Sequence, residues 1–226
     1  MEKKDLALDQ IKSAALTAVN ILSNRLLQSD PKRYPGTVVS RQEVDALIRD
    51  WPGLPKKTTI EMIGKYGEPN EACNHRITWY ENFPWKRTVV LRDELPHNFP
   101  LPHNDFLMQT INYSIPVELV GEIAAFNGSI LEDRTAGEVS VRCDSEARNY
   151  LILNLMNDIV AGKLTAEEAR RRYADDSITL ILNREVAYAD KFHFHQSSTN
   201  TPQSDITLIT ESMIQTAVNQ IVEAFE

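Results

Sequence analysis

The chain has 226 residues, 42% of them hydrophobic and 25% charged, enough to bury a substantial core and too apolar for a disordered segment. Its 24 basic and 32 acidic side chains leave a formal charge of -8, which repels polyanions and disfavours nucleic acid as a partner. Two cysteines give no disulfide framework, and no apolar run approaches the roughly 20 residues of a membrane span, so a reducing, cytoplasmic setting without a signal peptide is expected.

In chain order, Leu8, Ile11, Ala15, Ala18 and Leu22 recur every three or four positions and predict an amphipathic helix over 5–27. DPKRYPG at 30–36 is a turn-rich link. Ser40 and Glu43 stand at capping-box spacing and predict a short helix to about Arg49, ended by the prolines of WPGLP. Thr58 and Glu61 repeat that spacing and predict a helix to Tyr66, where Gly67 and Pro69 stop it. RITWY at 76–80 and RTVVLR at 87–92 read as a hairpin across the loop ENFPWK.

The stretch 93–113, DELPHNFPLPHNDFLMQTINY, then gathers three prolines with His97, His103 and Asp105. Pro96, Pro100 and Pro102 remove backbone donors and keep the segment out of a helix, so it can hold those side chains in fixed positions. Beyond it, Pro116 opens a helix to about Phe126. A second hairpin is expected from 129–133 and 138–143, with Val139, Val141 and Cys143 on one face and Cys143 a buried thiol. Helices follow over 145–160 and from Thr165, the latter capped by Glu168. ITLILN at 178–183 and VAYADKFHFH at 186–195 read as strands, the second placing Lys191, His193 and His195 on one face. A polar loop at 197–204 and a helix over 208–225 complete the chain.

The pattern predicts an α+β fold, a mainly antiparallel sheet packed against N-terminal and C-terminal helices. One domain over 1–226 is expected, with a helical part at 1–55 and mixed sheet and helices at 56–226. The IGKYGEP and ITWY of residues 58–91 resemble the helix, Gly-x-Pro turn and Trp-Tyr hairpin of small bacterial envelope lipoproteins of the SmpA/OmlA type, which implies a local helix-then-hairpin unit. NFPWKR, HNFPLPHND, FNGSI and LNLMNDIVAG, within 79–157, also resemble a bacterial family of unknown function.

Phosphate-loop, dinucleotide, HExxH, GxSxG and CxxC motifs are absent from the sequence. Two readings of the function remain, and the sequence does not decide the reaction. The preferred one is a non-catalytic binding or assembly module, with a protein partner or a second copy of the chain meeting Phe83, Trp85 and Lys86, aromatics beside a cation. The alternative is a metal-dependent hydrolase whose divalent cation is held by His97, His103 and Asp105 with His193 and His195. Ordinary surface or core histidines are the plainer explanation of those five residues.

Overall fold

The computed structural model describes residues 36–196 continuously, together with 13, 16, 19, 208–210, 212–214, 216, 219 and 220. Two compact units divide the chain, one of Gly36–Ser204 and one of Met1–Pro35 with Asp205–Glu226. In the second, Ser13, Leu16 and Val19 are helical, as are residues 212–214, 216, 219 and 220. Residues 208–210, expected to open the last helix, are not helical, and the rest of the helices expected over 5–27 and 208–225, most of the 30–36 link and the 197–204 loop lie outside the described residues.

Within Gly36–Ser204, α1 (Arg41–Leu47) begins at the expected capping box: Ser40 accepts from the Glu43 amide and the Glu43 carboxylate accepts from the Ser40 amide. Helix α2 (Gly53–Tyr66) starts five residues before Thr58, a correction to the expected boundary. Pro52 is its N-cap and Pro55 lies in the first turn, where a missing N–H loses no intrahelical bond. The prolines that were expected to separate two helices therefore open the second. Thr59 donates to the Pro55 carbonyl at 2.9 Å from inside the helix. At the other end Gly67 adopts φ +81°, a conformation that strains any residue with a Cβ.

The sheet has six antiparallel strands in the order β1-β2-β3-β4-β6-β5, with β1 Glu71–Cys73, β2 Arg76–Tyr80, β3 Arg87–His97, β4 His103–Asn112, β5 Ile130–Asp133 and β6 Glu138–Cys143. This is the mixed α+β architecture expected, with helices flanking the sheet. Strand β4 pairs with β3 on one side and β6 on the other and so lies at the centre. Helix α3 (Val120–Phe126) follows a 3-10 turn at Val117–Leu119. Helix α4 (Glu146–Val160) lies against β6 and β4 and is covered in turn by α3 and α5 (Ala166–Ile181). Enclosure on several sides explains why α4 buries Asn149, Asn154 and Asp158 along with Leu151, Leu155 and Ile159.

The expected strands at 178–183 and 186–195 are not strands. Residues 178–181 are the last turn of α5. Its Thr165 capping box starts a helix that meets no glycine or proline before Leu182, so propagation overrides the β-branched composition of ITLIL. Residues 186–195 form a 3-10 turn at Ala187–Ala189 followed by irregular chain. The side chain of Asn154 takes up the backbone there: its amide donates to the carbonyls of Tyr188 at 2.9 Å and Lys191 at 2.7 Å, and its oxygen accepts the His193 amide at 2.8 Å. These groups are committed to a helix side chain and not to a ladder.

Among the described residues, two apolar clusters form the core. Val44, Ile48, Trp51, Met62, Ile77 and Trp79 pack beneath β2 and β3, while Ile111, Val141, Leu151, Leu155, Phe126 and Tyr173 form the larger cluster around α4. Tyr66 is packed against both. At this junction the Glu146 carboxylate accepts from Lys65 and Tyr66 of α2, from Trp85 Nε1 at 2.7 Å and from Gln109 Nε2 at 2.9 Å. Glu146, in the first turn of α4, thereby ties α2, the β2–β3 loop, β4 and α4 together.

The capping box of α5 yields a direct expectation. Thr165→Ala removes the acceptor for the Glu168 amide and lowers stability by about 1 kcal/mol, readable from the shift of a denaturant midpoint. No shift would mean that the cap does not hold this helix start.

Candidate metal centre

The β3–β4 hairpin turns over residues 98–102 and pairs His97 directly opposite His103. Asp105 follows His103 by two positions on β4, so strand alternation returns its side chain to the same face. One ligand atom from each of His97, His103 and Asp105 lies within 4.8 Å of those of the other two. His97 Nδ1 is 3.2 Å from Asp105 Oδ2, and His103 Nε2 is 3.0 Å from Asp105 Oδ1. The imidazole centroids stand 5.0 Å apart.

Two further groups orient this set. The Leu101 carbonyl lies 2.8 Å from His103 Nδ1, and a carbonyl only accepts. Nδ1 therefore carries hydrogen, and Nε2 is the nitrogen that faces the carboxylate. Ser129, at the entry to β5, donates to Asp105 Oδ2 at 2.5 Å and lies 3.3 Å from His97 Nδ1. Asp105 is 2% exposed, and its Oδ1 has no aligned hydrogen-bond donor despite the short ion-pair distance to His103. A buried anionic oxygen in that position is a strong acceptor for a cation.

The two histidines are tuned in opposite directions. Burial pushes His97 below the usual imidazole value against the pull of Asp105, so it is neutral near pH 7. The Asp105 carboxylate 3.0 Å away, followed by the contact with Cys143, raises His103 to about 10. In the metal-free protein His103 thus carries a proton on the nitrogen that a cation would occupy. His97 is the open edge of the group, with 20% of its side chain exposed against 7% for His103.

The other expected site residues fall elsewhere. His193 Nε2 is 2.9 Å from the Ala187 carbonyl and its ring lies beside Tyr188, while His195 is exposed. Neither belongs to the group, because the strand face that was expected to align them does not form. The expected interaction surface is also divided. Phe83 is 89% exposed, but Trp85 is 1% exposed, with Tyr150 and Phe192 rings 4.8 Å and 5.0 Å away. Lys86 is tied to Glu138 at 2.6 Å. Burial of Trp85 corrects the expectation of an aromatic pair on the loop surface: its ring joins the larger cluster and its N–H reaches Glu146.

Sequence reasoning missed Ser129 as a partner of Asp105, and it read Cys143 as a buried thiol without placing it beside His103. A cleft of about 440 Å³ lined by Glu118, Glu122, Lys163 and Glu168 among others shares no residue with the histidine group. Among the described residues no helix is long and apolar enough to cross a membrane. No protein-family model matches the chain, and no curated protein or solved structure is significantly similar to it.

Proposed function

We propose that the chain is a metal-dependent hydrolase whose divalent cation is held by His97, His103 and Asp105. The observation that carries this reading is the convergence of the three ligand atoms within 4.8 Å around a buried carboxylate. Two imidazoles and a carboxylate are a donor set that zinc and related divalent ions take in hydrolytic sites. A bound cation supplies Lewis acidity and an activated water. The chain's own residues do the positioning: Leu101 fixes the His103 tautomer, Ser129 holds the carboxylate, and the exposed edge at His97 admits water and substrate. Against a purely binding module stands the engagement of Trp85 and Lys86 inside the fold, which leaves Phe83 without its expected neighbours.

Zinc titration of wild type, His103→Ala and His193→Ala tests the site. Wild type and His193→Ala are expected to take up one equivalent of zinc, and His103→Ala to bind at least about 100-fold more weakly, since removal even of an outer-shell partner costs about 10- to 100-fold. Hydrolysis of chromogenic phosphate or carboxylate esters should be abolished by a chelator and restored by zinc. Equal zinc uptake by wild type and His103→Ala, or none by either, rejects the site; zinc uptake without any chelator-sensitive hydrolysis rejects the reaction.

A further inference from the structure

Phe99 lies in the turn of the β3–β4 hairpin, between His97 and His103. Its ring packs on Tyr173 of α5 with centroids 5.5 Å apart, and the Arg170 guanidinium stacks over it at 3.7 Å. The same guanidinium donates through Nη1 to the carbonyls of Phe126 at 2.8 Å and Ala125 at 3.3 Å. We infer that Arg170 is a positioning residue of the metal centre, a brace that sets the imidazole pair against the carboxylate. The inference rests on the metal-site reading above.

Two arms of the centre meet in this one side chain. The first is the hairpin turn: fixing Phe99 fixes where the paired strands deliver His97 and His103. The second begins at the end of α3. Carbonyls in the last turn of a helix have no partner within it, and here those of Ala125 and Phe126 accept from Arg170. Asn127 follows directly, is fully buried, and accepts the Ser129 amide on Oδ1 at 2.9 Å. Ser129 in turn donates to Asp105 Oδ2 at 2.5 Å. Arg170 is thus joined to the two histidines through Phe99, and to Asp105 through Phe126, Asn127 and Ser129. A planar guanidinium serves both arms because it presents a face to the ring and edge N–H groups to the carbonyls at the same time. A lysine ammonium does one or the other.

The sign of the effect sets this role apart from an electrostatic one. A fixed positive charge repels a divalent cation, so removing Arg170 as a mere charge would tighten metal binding. Removing a brace does the opposite. Three donors that must stay within reach of one ion drift apart, and affinity falls.

Competition with a chromophoric chelator measures zinc affinity for wild type, Arg170→Met, Arg170→Lys, Phe99→Leu and Thr165→Ala, at a temperature where each is folded. Arg170→Met is expected to bind about tenfold more weakly, the lower end of what loss of an outer-shell partner costs. Arg170→Lys should weaken binding too, although it keeps the charge. Phe99→Leu should also weaken it, and joining that change to Arg170→Met should cost less than the two effects combined, since they act through one arm. Thr165→Ala loosens the start of the same helix and should bind zinc as wild type does. The visible spectrum of bound cobalt(II) reports the arrangement of the donors, and its bands should shift in Arg170→Met and stay in place in Thr165→Ala. Wild-type or tighter zinc binding by Arg170→Met overturns the inference and leaves the site standing, as does an equal loss in Thr165→Ala. If Arg170→Met fails to fold, Arg170→Lys and Phe99→Leu decide in its place. No zinc uptake by wild type overturns the metal site itself and the inference with it.

Discussion

Asp105→Asn is expected to weaken zinc binding by at least about 100-fold while leaving the fold in place. The substitution preserves the shape of the side chain and removes the carboxylate charge at the point where both histidines converge. Its second effect is on protons. In wild type the ion must displace a proton from His103, which Asp105 and Cys143 raise to about 10. Zinc affinity should therefore climb roughly tenfold per pH unit between about pH 7 and pH 9. Without the carboxylate His103 falls back toward its ordinary value, and that slope flattens. Competition with a chromophoric chelator at several pH values measures both effects, and an Asp105→Asn protein with wild-type affinity and slope would remove the carboxylate from the site. The same proton matters to the metal-free fold. Because folded His103 holds it more tightly than the unfolded chain does, its stabilisation is complete below about pH 6.5 and fades as the pH rises toward 10.

Glu146→Gln should have the largest effect on stability, a loss of about 2–3 kcal/mol, as three hydrogen bonds to a buried carboxylate become bonds to a neutral amide. The side chain of Glu146 is 11% exposed and accepts from four donors. Trp85, Tyr66 and Gln109 all donate to Oε1 and Lys65 to Oε2, so an amide keeps one oxygen for the first three but without its charge, and turns its N–H group toward Lys65. Lys65 is half-exposed, and loss of its ion pair adds little because solvent screens it. A chain of this length should melt roughly 10 °C lower. Burial raises the Glu146 carboxyl, but the hydrogen bonds from Lys65, Tyr66 and Gln109 and the charge of Lys65 outweigh burial and hold it below the ordinary carboxylate value. Its contribution is thus full above about pH 4.5 and is lost as the pH falls through the lowered value. Thermal melts across the acid range should show that component in wild type and not in Glu146→Gln. A change below about 1 kcal/mol would mean that the junction is held by apolar packing instead.

The parts of the fold legible in the sequence were those with a local cause. Capping boxes at Ser40 and Thr165, the glycine stop after Tyr66 and the Val139–Val141–Cys143 face each depend on a few adjacent residues. Strand β4 escaped because its first residues are His103, Asn104 and Asp105 behind three prolines, and its strand character comes from pairing on both sides. The segments 178–183 and 186–195 misled for the opposite reason: their residues favour strands, but a propagating helix and the Asn154 side chain captured them. His97, His103 and Asp105 could be singled out because the prolines marked their stretch. Ser129 and Cys143 could not, since their nearness depends on strand register.

The nearness of the proposed donors along the chain bears on the order of assembly. His97, His103 and Asp105 fall within nine residues, 97–105, on the two arms of one hairpin. Closing so short a loop costs little chain entropy, so the donor group forms with the hairpin and does not wait for the whole topology. Ser129 and Cys143 stand 24 and 38 positions beyond Asp105 and join once the far strands have paired. A cation captured by the hairpin would then belong to the folding nucleus, and it would quicken folding while leaving the unfolding rate little changed.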